Sequence, residues 1–464
     1  MQTIFFIGQE KPLSNLVNYN ALKLFLKEDY LVVTTTEISR KYEFTNKVIS
    51  FESKWTRRDW VKYLDHLMLK NLFSNSRNTI NLMLRTRSLG PYKFNSIYSL
   101  IIGGKYLFNF VKSINWLIFL NNFRNTPEEL LNSLREKKVI GEGDRNEIRN
   151  KISKIKINRA VIFTTFNDPV LFDFIAVCNE LNIQTLVLPD CWDNISTAVT
   201  IPRDISHLYL WSLQQLEEVR VSFSHLYSKS KVIGSYRFQK YQKNNFSVKK
   251  RDRPKEIFDL RILYLESNLF EDRNFVLERI VQSIMNSRNF GESIKKAEIL
   301  VREYPGVHQS VAEFENEILH GKNSKTPKHG IDIIRSDNTS LKEDLIEVDI
   351  VFSELTTAAL EAAHQGIPTV FVGSSKSPRY ITTSKSYNYS FARDLRKLFE
   401  VINLDCDESI IRISELLNRL MKSQSTSLHS VLTNGVKHLN VSFFLEEFNY
   451  EAWAKIMDLD MDRI

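Results

Sequence analysis

The chain has 464 residues, 43% apolar and 25% charged, with only 14 glycines and 11 prolines. That composition belongs to a folded globular protein of two to four domains and excludes a collagen-like or Pro/Gly-rich disordered chain. Lysine and arginine outnumber aspartate and glutamate by 63 to 55, a net charge of +8, which suits a phosphorylated ligand or an anionic surface. The three cysteines, Cys178, Cys191 and Cys406, follow no paired spacing, which argues against a disulfide scaffold or structural zinc and for a reducing compartment.

The first fifty residues alternate strand and helix. Thr3–Gly8 reads as a buried strand ending in a glycine, Leu13–Lys27 as a helix, and Tyr30–Thr35 and Lys47–Phe51 as two further short strands. Such alternation is the signature of a parallel α/β sheet. The apolar start lacks the basic head and long apolar stretch of a signal peptide. No segment reaches the roughly 18 apolar residues needed to cross a bilayer, so a cytoplasmic location is expected.

From about 55 to 157 the pattern becomes helical, with Trp60, Tyr63, Leu64, Leu67 and Met68 on one face and a helix start at Thr126-Pro-Glu-Glu. This predicts a helical insertion. Its cations, Arg57, Arg58, Lys112, Arg124, Lys137 and Lys138, interleave with Trp116, Phe119 and Phe123. They form a candidate face for a peripheral contact with an anionic membrane, set against a packed helical subdomain with solvated charges.

Alternation returns with strands at Ala160–Phe166, Gln184–Pro189, His207–Trp211 and Lys231–Ile233 and helices at Asp168–Leu181 and Leu213–Tyr227. A polar, basic stretch, Asn244 to Arg253, reads as a solvated hinge and not as a nucleic-acid site. A second series follows: strands at Arg261–Glu266, Glu298–Val301, Gly330–Arg335, Asp349–Ser353 and Pro368–Val372, and helices at Arg273–Asn286, Leu341–Val348 and Thr356–Gln365. The expected layout is a first Rossmann-like domain over 1–245, a linker over 246–258, a second over 259–440, and a terminal helix within 441–464 packing back on the domain junction.

Chemistry concentrates in the run from Asp349 to Gly373. Ser353, Thr356 and Thr357 sit where a strand hands over to a helix, whose unpaired N–H groups and partial positive charge suit a diphosphate. Glu361 lies one turn on, where its carboxylate can accept from a ribose diol. The bland alternative is a hydroxyl-capped helix with a surface glutamate.

With Ala362, Gly366 and Pro368, these residues resemble the donor-nucleotide signature of GT-B glycosyltransferases, which have two Rossmann-like domains facing across a cleft. The resemblance implies that the turn holds the donor diphosphate and Glu361 the ribose. Ile299 to Pro305 resembles the strand and Arg-x-His-Pro turn of bacterial polysaccharide and polyol-phosphate transferases. It makes Arg302 a donor partner, although Tyr304 replaces the histidine. In the first domain, Leu186 to Ser196 resembles a Ser-Trp-Asp-Asn type of loop in GT-B-like proteins of surface-glycan clusters. Asp193 and Asp190 are the candidate general bases there, with Trp192, Asn194 and Gly8 at the acceptor side or cleft. An Asx-type turn is the structural alternative for the loop.

The implied activity is transfer of a sugar from a nucleotide-sugar donor to a surface polysaccharide or lipid-linked glycan, without metal or resident cofactor. Asp405-Cys-Asp407 and Asp458-Leu-Asp460-Met-Asp462 read as a helix start and a solvated tail, Gly103-Gly104-Lys105 lacks the rest of a P-loop, and no nucleic-acid partner is expected. The rivals are a CDP-glycerol-like polyol-phosphate transferase, disfavoured by Tyr304, and a non-catalytic nucleotide-binding scaffold of the same fold. A nucleotide-sugar 2-epimerase is disfavoured because its His-Gly turns are missing.

Overall fold

The structure is a computed structural model. It describes residues 2–10, 31–41, 47–73, 126–237 save 167, 193 and 199, 258–266, 273–289, 294–303, 330–373 save 339, 355 and 366, 399–422, and isolated positions that include 449, 452 and 453. The chain forms two compact units, one of Met1–Arg87, Lys93–Lys240 and Ser442–Ile464, the other mainly of Tyr241–Val441.

The first unit is a seven-stranded parallel sheet. In chain order its elements are β1 (Gln2–Ile7), β2 (Leu31–Thr35), α1 (Thr36–Lys41), β3 (Val48–Phe51), α2 (Arg57–Phe73), α3 (Pro127–Glu136), α4 (Arg145–Ile152), β4 (Ile157–Thr164), α5 (Pro169–Glu180), β5 (Gln184–Pro189), α6 (Asn194–Thr197), β6 (His207–Leu210), α7 (Leu213–Ser222), a 3₁₀ turn (Ser224–Lys229) and β7 (Ser230–Val232). The spatial order is β3-β2-β1-β4-β5-β6-β7. The inner strands are uninterrupted apolar runs, Ile4–Ile7 and Ala160–Phe163 being at most 1% exposed, as strands covered on both faces must be. Helix α5 covers one face, with Phe6 stacked on Phe174 at 4.0 Å between ring centroids.

The sequence reading carried one helix from Leu213 to Tyr227. The structure ends α7 at Ser222, because Phe223 adopts φ −136° and ψ 49°, and a 3₁₀ turn follows. Buried Phe223 and Leu226 then face the core.

The described parts of the insertion are helical. Tyr63, Leu64 and Leu67 of α2 pack with Leu130, Leu131 and Leu134 of α3 and Phe172 of α5 in a small core of their own. Polar groups fix that core to the sheet unit. The buried Asp173 carboxylate accepts from Trp55 Nε1 (2.7 Å), Arg135 Nη2 (2.7 Å) and the Asp144 amide (2.9 Å). Gly143 has φ +76° and passes so close that a Cβ there would lie 2.2 Å from Arg135 Nη2, so both backbone and space demand glycine. Lys112, Trp116, Phe119, Phe123 and Arg124, and the hinge Asn244–Arg253, lie outside the described residues. Of the segment after 441, Trp453 is fully buried against Tyr209 of β6, and the Asn449 amide donates to the Ile233 carbonyl at 2.6 Å.

The second unit is a six-stranded parallel sheet. Its elements are β8 (Leu260–Leu265), α8 (Arg273–Asn289), β9 (Ala297–Arg302), β10 (Ile331–Arg335), α9 (Leu341–Glu347), β11 (Ile350–Ser353), α10 (Thr357–His364), β12 (Thr369–Gly373), β13 (Glu400–Asn403) and α11 (Glu408–Lys422), in the spatial order β10-β9-β8-β11-β12-β13. Helices α8 and α11 pack through Val276, Ile280, Ile284, Ile413 and Leu417, and Ser414 Oγ donates to the Ser283 carbonyl at 2.8 Å. Two Rossmann-like parallel sheets, each flanked by helices and one carrying a helical insertion, are the fold the sequence predicted.

Candidate functional site

In both sheets the chain builds outward in two directions from a central pair of strands. Strand β8 is followed by β9 and β10 on one side, and β11 by β12 and β13 on the other. The carboxyl ends of β8 and β11 therefore form a topological switch point, the place where open α/β sheets bind ligands. In the first unit, β1 and β4 hold the same position.

At the second-unit switch point, Ser353 closes β11 with its Oγ 2.8 Å from the Glu354 carbonyl, 3.2 Å from Thr356 Oγ1 and 3.4 Å from the Leu265 carbonyl at the end of β8. Thr356 caps α10, accepting from the Ala359 amide at 3.2 Å. Thr357 is the first residue of that helix and is partly exposed, so the hydroxyl turn and the amides beside it lie together at the edge. Glu361 is on the same helix and is fully buried, as is Glu354. Arg302, at the end of β9, donates to Asp344 Oδ2 and to the Asn338 carbonyl (3.2 Å). Asp344 is itself buried and also accepts from Ser336 and Asn338, so Arg302 is held in an ion pair two strand positions from the hydroxyl turn, with β8 between them. Gly366 lies outside the described residues.

In the first unit the loop after β5 is tied into the core. The Gln215 amide of α7 donates to the carbonyls of Cys191 (3.1 Å) and Trp192 (3.0 Å) while its oxygen accepts from the Trp211 amide. Trp192 is 3% exposed. Asn194 Oδ1 accepts from the Cys191 amide at 2.6 Å, an Asx-type closure of the loop. Asp190 is fully buried, and Tyr236 donates to its Oδ1 at 3.1 Å. Asp193 lies outside the described residues.

Sequence reasoning missed the group that the structure places at the first-unit switch point. Asp168 follows β4, and a Cβ built on Gly8, just after β1, would lie 2.0 Å from its Oδ2. Beside it, Gln9 Oε1 accepts from Thr165 Oγ1 (2.6 Å), and Phe166 turns the chain at φ 61° with its amide on Thr164 Oγ1 (2.9 Å). Burial pushes the Asp168 carboxyl up from its ordinary 3.8 to about 7. The Val170 amide opposes that rise, and the charges of Asp144 and Asp173 add to it. In the sequence, Asn167-Asp168-Pro169 reads only as a helix start.

Among the described residues, no group of three or more His, Cys, Asp or Glu side chains is placed to hold a metal ion, and no helix is long and apolar enough to cross a membrane.

No protein-family model matches the chain, and no curated protein sequence resembles it significantly. Solved structures do resemble it in fold. A protein described as a UDP-N-acetylglucosamine 2-epimerase from Listeria monocytogenes superposes with a TM-score of 0.51 at 10% identity, over 99% of this chain and 97% of that one. The glycosyltransferase of kitacinnamycin superposes with a TM-score of 0.50 at 8% identity, over 98% of each chain. At such identities the likeness is one of fold: two Rossmann-like domains of the GT-B kind.

Proposed function

We propose that the chain is a glycosyltransferase that takes its sugar from a nucleotide-sugar donor. The observation that supports this most directly is the coincidence of the hydroxyl turn Ser353–Thr356 with the second-unit switch point. A diphosphate there meets the amides that begin α10, the helix dipole and the hydroxyls of Ser353, Thr356 and Thr357. Glu361 is the candidate partner of the ribose and Arg302 a flanking cation. The first unit, with its insertion, serves the acceptor, a surface polysaccharide or lipid-linked glycan. The loop Asp190–Asn194 closes one side of the acceptor region, with Asp193 as a candidate base and Trp192 and Asn194 shaping the loop. We place the enzyme in the cytoplasm, touching an anionic membrane through exposed Arg58, Lys137 and Lys138, and give it no metal requirement.

The test is a thermal-shift and calorimetric screen with UDP, GDP, CDP, CMP and dTDP and their sugars. A ligand at about 100 times its dissociation constant stabilises by about 2.7 kcal/mol. Mass spectrometry of the products then separates the readings. Transfer to a glycan supports the proposal, whereas transfer of a polyol phosphate or inversion of the sugar on its nucleotide replaces it with another activity of the same fold. Binding without turnover makes the chain a nucleotide-binding scaffold.

A further inference from the structure

We infer that Asp168 is the general base of the first unit, taking the proton of an acceptor hydroxyl seated between the ends of β1 and β4. The inference rests on the glycosyl-transfer reading and puts Asp168, in place of Asp193 and of the buried, Tyr236-bonded Asp190, in the proton-accepting role.

Three independent features point to it. The first is position: β1 and β4 are neighbours from which the chain proceeds in opposite directions across the sheet, so the crevice beyond their ends is the switch point of this unit. The second is the approach to Gly8. That glycine is not in the left-handed region that only glycine favours, so its backbone does not require it. What requires it is space, because Asp168 Oδ2 occupies the volume a side chain would fill. The third is the state of the carboxylate. Asp168 is 4% exposed; Oδ1 accepts from the Val170 amide at 3.0 Å, while Oδ2 has no hydrogen-bond partner among the described residues. A buried carboxylate with one oxygen fixed and the other held against Gly8 beside the ends of β1 and β4 is pre-oriented to accept a proton.

The surroundings leave it suited to that exchange. Burial holds its proton affinity near neutrality. On α5, Asp173 is neutralised by Arg135 and Arg145. Ahead of α4, Asp144 accepts from Ser53 and the Lys54 amide. On the turn after β1, Gln9 is occupied by Thr165 and Glu10 by Lys41. No cation among these contacts Asp168 to fix it in the charged form. In the transfer step the acceptor hydroxyl gives its proton to Oδ2 as its oxygen bonds to the anomeric carbon. The bond from that carbon to the diphosphate oxygen breaks, and the nucleoside diphosphate leaves with the electron pair.

The experiment uses the full chain with the nucleotide sugar that the screen identifies. Asparagine retains the helix cap, so Asp168→Asn is expected to fold, as circular dichroism verifies, and to bind the nucleotide as the wild type does. Its kcat is expected to fall about 10²–10⁴-fold, and the acidic limb of the wild-type pH profile, centred near 7, is expected to disappear with it. Asp168→Glu should restore part of the rate, and infrared spectroscopy should show a protonated carboxyl band that titrates near neutrality in the wild type and is missing from Asp168→Asn. Wild-type kcat in Asp168→Asn, or collapse of turnover in Asp193→Asn instead, overturns the assignment and leaves the transfer reading standing. A wild type that transforms none of the nucleotide sugars overturns both. Absence of the titrating infrared band overturns the proton-holding role of Asp168 whatever the activity.

Discussion

Replacing Asp168 by asparagine should make the first unit more stable, and the gain should depend on pH in a fixed direction. The wild-type carboxyl titrates at about 7 in the folded chain against 3.8 ordinarily. Below about pH 3.8 both folded and unfolded forms hold the proton, and the group does not oppose folding. As pH rises from there to about 7 the unfolded form sheds its proton first, so the wild type loses stability through that window and levels off above it. A rise of roughly three pH units at about 1.36 kcal/mol each is about 4 kcal/mol. Asparagine has no charge to bury, but it forfeits the attraction of a carboxylate for the α5 N-terminus, about 0.3–1 kcal/mol. The net gain above pH 7 is then about 3 kcal/mol, or roughly 6–12 °C in the melting temperature of a unit of this size. The assay is differential scanning calorimetry of wild type and variant from pH 4 to pH 8. The two units can melt separately, and the first-unit transition alone should move. A gap that does not widen with pH, or a variant less stable at pH 8, would refute the buried, proton-holding state of Asp168.

Other expectations follow from the same geometry. Asp173→Ala leaves Arg135 and the Asp144 amide without their buried acceptor and should cost about 3–5 kcal/mol, read by urea unfolding of the wild type and the variant. Glu361→Gln should weaken nucleotide binding about ten- to a hundredfold, in line with the 1.5–3 kcal/mol of a hydrogen bond to a charged group; unchanged affinity by calorimetry removes Glu361 from the donor site. Activity should survive EDTA, and loss of transfer restored by Mg²⁺ would require a metal in the mechanism. Arg58→Glu with Lys137→Glu and Lys138→Glu should lower binding to anionic vesicles while leaving nucleotide affinity intact; wild-type binding that is absent or indifferent to salt would defeat the membrane proposal.

The fold was legible because parallel strands buried on both faces write themselves as short apolar runs: Gln184–Pro189 coincides with its predicted bounds, and the other predicted strands shift by only a few residues. Phe223 was not legible as a helix end. An aromatic at helical spacing continues an apolar face, and only the core position of Leu226 favours the tighter turn. The hydroxyl turn after β11 could be read because its parts are contiguous. Asp168 could not. Its local sequence, Asp-Pro before an apolar run, announces a helix cap, and it is one; what sets it apart is the glycine at the end of the neighbouring strand, 160 residues earlier. Trp192 illustrates the same limit, since an aromatic after a strand reads equally as a sugar platform or as a core plug until Gln215 is seen clamping the carbonyls on either side of it.

The return of residues 449–453 to the first sheet has a consequence for synthesis. Tyr209 and the Ile233 carbonyl receive their partners from a segment that follows the whole second unit in the chain. Domains ordinarily fold in the order they leave the ribosome. Here the second unit has its complete sequence while the first still lacks Trp453, so β6 must wait uncovered through some two hundred further residues of elongation. An aromatic strand surface exposed for that long is a natural client for a holding chaperone, and a chain cut short between 442 and 449 would have its defect in the part made first.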